Sequence, residues 1–440
     1  MNSITSLFGV VEHGAEPQWW LIALFAVQGL VIWAFAQKRY FVRIEGQLKP
    51  AFSEVQELSI FLLSGAVIAQ FWVHGDPAGY AATFHEVLLR LPNVDVNLHF
   101  SVNDVFMVFF FGIAGIELTR AAMKPDGELR GKRGILPIAA CAGGVLGPAI
   151  IYRMLCTEDL KGAWAVPCAT DIAFAWLGAR MIWGAGHPAV KFLLALAIAD
   201  DFVGMIIIAL FYPQRVGVPS FLLLIVAGMA IAYCMRRLAK RAEFFKHWLP
   251  YVLIPGTMCW IGLLYSGLHS ALALVFVVPF MPMEGRDKGL FDMNNGNGHH
   301  PDTVKQFEHF FKPLVDCGLF FFGLANAGVA WIGTSAWDAN STAVLAGLGI
   351  GKLAGITALT VLAYFVLCAI GKKTDLPSNK HGKMEWRDVP VAGLLGGMGF
   401  TVALFVADAY GGHPSLKLGA LASFAYLGLA VLIGKKFCKR

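Results

Sequence analysis

The stretch Val190-Lys191-Phe192-Leu193-Leu194-Ala195-Leu196-Ala197-Ile198-Ala199-Asp200-Asp201-Phe202-Val203-Gly204-Met205-Ile206-Ile207-Ile208-Ala209-Leu210-Phe211 is apolar on both sides of two adjacent aspartates. Neither flank reaches the roughly 20 apolar residues needed to cross a hydrocarbon core. One helix must therefore carry Asp200 and Asp201 near its middle. An aspartate at that depth costs roughly 2.5–3.5 kcal/mol on the insertion scale, and adjacent carboxylates oppose each other's ionisation. Two aspartates held by neighbouring helices for packing alone are the bland alternative. Intramembrane acids more often mark ion or proton pathways, which is the reading adopted.

The rest of the chain fits the same solvent. Of 440 residues, 57% are hydrophobic and 15% charged, against about 25% charged in soluble domains. A water-soluble globule is excluded. The formal net charge of +6 comes from small clusters between apolar runs, without the continuous stripe a nucleic-acid partner needs. The eight cysteines include no C-x-x-C pair and read as small packing residues. Thirteen candidate spans lie at approximately 18–37, 57–74, 103–123, 134–152, 163–183, 190–212, 218–235, 248–266, 268–282, 313–333, 341–370, 389–410 and 415–434. Gly411, Gly412 and Pro414 separate the last two.

Basic residues alternate between loops. One set holds Lys38 and Arg39, Arg120 with Lys124, Arg130, Lys132 and Arg133, then Arg236, Arg237 and Lys240, then Lys372 to Arg387, and the tail from Lys435. The other holds only Arg90, Arg153, Lys161, Arg215 and Lys417. Cytoplasmic loops are the Lys- and Arg-rich ones, so the C-terminus is expected inside. An odd number of spans then puts the N-terminus outside, where residues 1–17 carry no Lys or Arg. Ala34-Phe35-Ala36 resembles a signal-peptide cleavage site. However, no basic segment precedes the first span, and Lys38 and Arg39 follow it, which favours an uncleaved helix. Residues 1–55 are read as an N-terminal segment with this span and a cytoplasmic linker, and residues 56–440 as one membrane domain.

Two loops have character of their own. Residues 94–100 alternate apolar and polar and can pair with residues 87–91 across Pro92-Asn93, giving a small external hairpin near 86–100. The segment 294–300 is turn-rich and ends in His299-His300, which lack further ligands at metal-site spacing.

Other polar residues sit inside spans. Pro167 removes a backbone donor, and Thr170 and Asp171 follow it, which predicts a broken helix. A counterpart comes late, where Gly393, Gly396, Gly397 and Gly399 crowd before Phe400 and Thr401. Interrupted spans in different halves of a transporter point to a midplane site, because unwound backbone survives there only where it lines a cavity. Lys352 lies deep in a span, and a buried ammonium must lose its proton or find a carboxylate. An acid–base cluster follows. Asn103 and Asp104 open the third span, where Glu117 and Arg120 stand at i, i+3 and predict an intrahelical ion pair.

Five strings, Ala169-Thr170-Asp171-Ile172-Ala173-Phe174-Ala175, Leu196-Ala197-Ile198-Ala199-Asp200-Asp201, Leu324-Ala325-Asn326-Ala327-Gly328-Val329, Ile350-Gly351-Lys352 and Gly397-Met398-Gly399-Phe400-Thr401, resemble the bacterial NhaA-type Na⁺/H⁺ antiporters. The motifs run in family order from about residue 55 to the end. The resemblance implies an all-α polytopic membrane protein of NhaA-like fold, with inverted repeats and two crossing discontinuous helices, an architecture established for that family. The extra N-terminal helix has no counterpart in the family's usual plan.

By that resemblance, Asp200 and Asp201 are the cation and proton carboxylates, Thr170 and Asp171 belong to the first broken helix, and Lys352 pairs with Asp200. Asp104 matches a supporting acid. Glu308, His309, Lys312 and His269 match a pH-responsive set, with Lys312 standing where well-known members carry a second histidine. Asn326 matches a motif position. Ala199, Leu353, Ala271 and Leu274 depart from the family pattern. The implied activity is electrogenic, pH-regulated exchange of Na⁺ or Li⁺ for H⁺ in a bacterial inner membrane, with no cofactor, no enzymatic reaction, membrane lipid as surroundings and a homodimer as assembly. A cation-coupled symporter of a small organic substrate uses the same devices and stays open. An intramembrane aspartyl protease needs a G-x-G-D context that neither Asp171 nor Asp200 has.

Overall fold

The computed structural model describes residues 60–91, 94–124, 127, 129–184, 186–213, 218–283, 302–331, 337–370, 376–379 and 382–438. The expected first span at 18–37 and the His299-His300 pair lie outside these residues. Apolar runs become helices at points set by side-chain caps. Helix α1 is Ile60–Gly75 and α2 is Pro77–His85, opened by Asp76, whose carboxylate accepts from the Gly79 N–H. Strands β1, Leu89–Leu91, and β2, Val94–Val96, pair antiparallel with Arg90 opposite Asp95. Asn97 then caps α3, Leu98–Met123, by accepting from the Phe100 N–H.

Helix α4 spans Ile135–Leu155. The next span is broken: 3₁₀ turns at Glu158–Ala163 and Val166–Cys168 give way to α5, Ile172–Trp183, across a 53° bend. Helices α6, Pro188–Phe211, α7, Pro219–Leu238, α8, Leu249–Ser266, and α9, Ser270–Phe280, follow. Helix α10, Thr303–Asn326, starts about ten residues earlier than the apolar run at 313–333 suggests, because its first half is amphipathic and carries Lys305, Glu308, His309 and Lys312. Helix α11, Ala339–Ala369, opens on an Asp338 capping box with Ser341. A short strand pair, β3 Ser378–Asn379 and β4 Gly382–Lys383, precedes the second broken span. That span is α12, Asp388–Gly396, and α13, Phe400–Ala409, bent by 44°; α14, Pro414–Phe437, closes the described fold.

Among the described residues seven helices are long and apolar enough to cross a membrane, or nine with each bent pair as one span. Large apolar side chains face outward: Leu210 is 71% exposed, Leu223 71% and Leu432 72%. A surface of this kind suits lipid as its solvent. The chain is a polytopic helical membrane protein.

Helix pairs close through glycine rather than bulky side chains. A Cβ on Gly143 would meet the Gly355 carbonyl oxygen at 2.0 Å, and one on Gly65 would meet that of Phe320 at the same distance. Backbones in contact need residues without side chains. The first of these contacts welds α4 to α11, the second α1 to α10. Two apolar clusters result, one holding Ala169, Leu348, Met398 and Phe400, the other Ala199, Ile356, Leu394 and Leu395. Both broken spans contribute residues to both clusters.

Candidate ion site

The close approach of α4 and α11 sets the depth of Lys352. Immediately before it the helix widens into a π turn, Gly347–Gly351, a local distortion frequent at functional positions. Lys352 is fully buried and its Nζ lies 2.5 Å from Asp200 Oδ2 and 2.8 Å from Thr170 Oγ1. Gly144 leaves room for the acid, since a Cβ there would stand 3.2 Å from both Asp200 oxygens. The Thr170 hydroxyl is also 2.8 Å from Asp200 Oδ2 and 2.9 Å from the Gly396 carbonyl, so its single proton serves one of two acceptors.

The two chain breaks meet here. The Asp171 N–H donates to the Met398 carbonyl at 2.7 Å, and the Thr401 N–H donates back to Asp171 Oδ2 at 3.1 Å. The Thr401 hydroxyl donates to the same oxygen. Asp171 also caps α5 by accepting from the Phe174 N–H. Each discontinuity thus satisfies backbone groups the other leaves open, which hydrocarbon demands of any unwound segment.

Asp200 also has a buried Oδ1 without a donor, but its Oδ2 is held by Lys352 and Thr170, whereas Asp201 has no ion-pair partner among the described residues. It is 8% exposed, and its Oδ1 meets no hydrogen-bond donor among the described residues. The charges of Asp171, Asp200 and Lys352 all act on it. A buried acceptor without a donor is costly, and such a group in a native structure calls for a missing partner.

The remaining candidates lie elsewhere. Asp104 accepts from Ser270 Oγ at 2.7 Å and stands 3.7 Å from His269 Nδ1. His269 is therefore buried beside Asp104 with its ring tilted against that of Phe405, apart from Glu308. Glu308 takes a two-pronged contact from Arg120, with Nη2 2.5 Å from Oε2, while Arg120 Nη1 also reaches Glu117 Oε1 at 3.0 Å. The expected Glu117–Arg120 pair is thus the local part of a link between α3 and α10. Glu308 does not serve His309, which is exposed, because consecutive helix residues point in different directions. Lys312 is half-buried one turn later.

Several contributors went unread in the sequence. Thr401 carries no local signal beyond following a break, and its hold on Asp171 comes from tertiary contact. The spacing Gly143-x-x-x-Gly147 against Gly351-x-x-x-Gly355 is the signal that could have found the α4–α11 seam. Asn326 binds Asn103, and Asn103 binds Asp408, an acid with no signal in the local sequence.

The family model described as Na⁺/H⁺ antiporter 1 matches residues 50–434. The chain is 42% identical over 394 residues to the Na⁺/H⁺ antiporter NhaA of Geobacter metallireducens, covering 87% of this chain and 96% of that one. It is 41% identical over 401 residues to the NhaA of Desulfitobacterium hafniense, covering 88% and 96% respectively. Among solved structures, the sodium proton antiporter MjNhaP1 from Methanocaldococcus jannaschii aligns over 95% of this chain and 97% of its own, at 12% identity and a TM-score of 0.46, a likeness too weak to carry weight.

Proposed function

Since this chain belongs to the Na⁺/H⁺ antiporter 1 family, we propose that it is a secondary active antiporter of a bacterial inner membrane, extruding Na⁺ or Li⁺ in exchange for protons by alternating access. The observation that carries this reading is the Asp201 carboxylate, buried with an unmatched oxygen beside the Asp200–Lys352 pair. A hard cation that sheds its water needs oxygen ligands. A proton on the same oxygen must leave first, so the two ions compete.

Asp201 is the principal cation carboxylate in this reading, Asp200 shares the proton-binding role and Lys352 is its counter-charge. Asp171 and Thr170 hold the first break in place. The three carboxylates face one ammonium and leave a formal charge of two to be matched. One Na⁺ exchanged for more than one proton then moves net charge, which makes transport electrogenic. Glu308, His309, Lys312 and His269 are assigned to its pH response. Glu308 acts there through Arg120, and His269 through Asp104. The two broken spans correspond to each other as members of inverted repeats. The C-terminus is inside, and the hairpin near 86–100 joins two copies in a homodimer, which its deletion would return to monomers in detergent.

The test is Na⁺- or Li⁺-driven proton flux with simultaneous current in proteoliposomes of the full chain, over a pH series. Flux that carries current, with a Na⁺ KM that rises as pH falls, is the expected result. Counterflow of an amino acid or sugar with Na⁺, without proton exchange, would establish the symporter alternative instead.

A further inference from the structure

A second, partly buried ionic cluster lies at the far end of α13, away from the acids just described. Asp408 sits in the last turn of that helix, with Lys417 Nζ 3.0 Å and His99 Nε2 3.1 Å from its Oδ1, and Asn103 Nδ2 2.8 Å from its Oδ2. Both charges stand at the wrong ends of their own helices. An acid is disfavoured at a helix C-terminus and a lysine at an N-terminus, and Lys417 lies at the start of α14. Local helix energetics therefore do not account for either residue, whereas their mutual contact does.

The donors can be assigned one by one. Asn326 Nδ2 gives one hydrogen to the Phe322 carbonyl at 3.1 Å and the other to Asn103 Oδ1 at 2.8 Å. Asn103 Nδ2 gives one to Asn326 Oδ1 at 3.0 Å and the other to Asp408 Oδ2. An amide has two hydrogens to give, so Asn103 has none left for His99. His99 must then carry its own proton on Nε2 and donate it to Asp408. Helices α3, α13 and α14 are joined in this way at one carboxylate with a donor on each oxygen, and α10 joins them through Asn103.

Helix α13 is short and uninterrupted between Thr401 and Asp408, a rise of about 10 Å. Its first turn holds Asp171 through Thr401, and its last turn is held by the cluster. We propose that Asp408 is a positioning residue of the exchanger: it anchors the C-terminal end of α13, so that Thr401 keeps the Asp171 carboxylate in place beside the cation site. This rests on the exchange reading above.

The experiment measures the Na⁺ KM and maximal rate of proton flux in proteoliposomes of the full chain. Asp408→Asn is expected to raise the KM about tenfold while the maximal rate per folded protein changes by less than about twofold. Asp408→Asn with Lys417→Gln restores the KM to within about threefold, because a neutral hydrogen-bonded pair keeps the join. His99→Gln, which retains an N–H donor, holds the KM near wild type, and His99→Leu raises it. In a Thr401→Val background Asp408→Asn adds less than about twofold, because residues acting in series are not additive.

A KM unchanged in Asp408→Asn, or full additivity with Thr401→Val, overturns the proposal. If Asp408→Asn does not fold, the comparison passes to two double variants. Asp408→Asn with Lys417→Gln must then show a lower KM than Asp408→Leu with Lys417→Leu, and equal values overturn the proposal. Wild-type vesicles without Na⁺-coupled proton flux defeat the exchange reading itself, a result distinct from any of these.

Discussion

Two aspartate–lysine pairs, Asp408–Lys417 at the C-terminal end of α13 and Asp200–Lys352 between α6 and α11, are built differently. At the C-terminal end of α13 Asp408 has a donor on each oxygen, from Lys417, His99 and Asn103. Between α6 and α11 Asp200 is paired with Lys352 through Oδ2 alone, and the neighbouring Asp201, without a counter-charge of its own, likewise keeps a buried oxygen that no described donor reaches. Buried polar groups are normally satisfied, and a matched carboxylate holds structure together at little further cost. An unmatched one is held at a cost and is free to take a partner that comes and goes. The contrast separates the acid that anchors from the acid that binds.

The sharpest way to break this contrast is Asp201→Asn. The substitution keeps shape and removes the charge, so Na⁺-driven proton flux should fall to the level of empty liposomes. Thermal stability in detergent should change by less than about 1 kcal/mol, because no hydrogen bond to the unmatched oxygen is lost. Flux at the wild-type rate would show that the unmatched oxygen is not the cation's ligand.

The paired half of the comparison predicts the opposite balance. Lys352→Met leaves Asp200 buried without its counter-charge and should destabilise the fold by roughly 3–5 kcal/mol, while adding Asp200→Asn should recover most of that loss. Denaturation of the three variants in one detergent measures it, and a single variant as stable as the double would mean that Asp200 has another partner. Gly355→Ala probes the seam that brings the pair together. Its Cβ would stand 2.1 Å from the Gly143 carbonyl oxygen, so α4 and α11 must separate at a cost of about 1–3 kcal/mol. A stability equal to wild type would show that the seam yields freely.

The smallest effect concerns Asp338, the cap of the helix that carries Lys352. Although burial pushes its carboxyl up, hydrogen bonds from the Ser341 N–H and from Asn340 outweigh this and hold it below its ordinary value. A depressed native pKa means stability that is fully present above the unfolded value and lost as pH falls through the native one. Asp338→Ala should therefore cost about 1 kcal/mol at neutral pH. The difference should vanish in acid below the carboxylate range, and a gap that persists there would assign the effect to packing.

Much of this protein was legible in its sequence because the solvent is so restrictive. Hydrocarbon admits few charges and no unpaired backbone, so Asp200, Asp201 and Lys352 stood out as buried charges, and Pro167 and the glycines from Gly393 to Gly399 stood out as breaks. Twelve of the thirteen expected spans have helical counterparts among the described residues, and the remaining one lies outside them. Apolar length failed only at α10, whose amphipathic first half extends the helix beyond its apolar run.

Partnership was not legible. Nothing near Asp171 in the chain indicates that Thr401 will hold it, and nothing near Asp408 indicates His99 or Asn103. Glu308 and His309 are neighbours in the chain, yet Glu308 meets Arg120 of α3 while His309 is exposed. The one-dimensional pattern determined which charges lie in the membrane, because burial of an apolar run is a property of the run itself. Which of those charges are matched and which is left open was decided only by tertiary structure, since a hydrogen bond needs two atoms within about 3 Å, and that proximity is set by how closely glycine-lined helices approach.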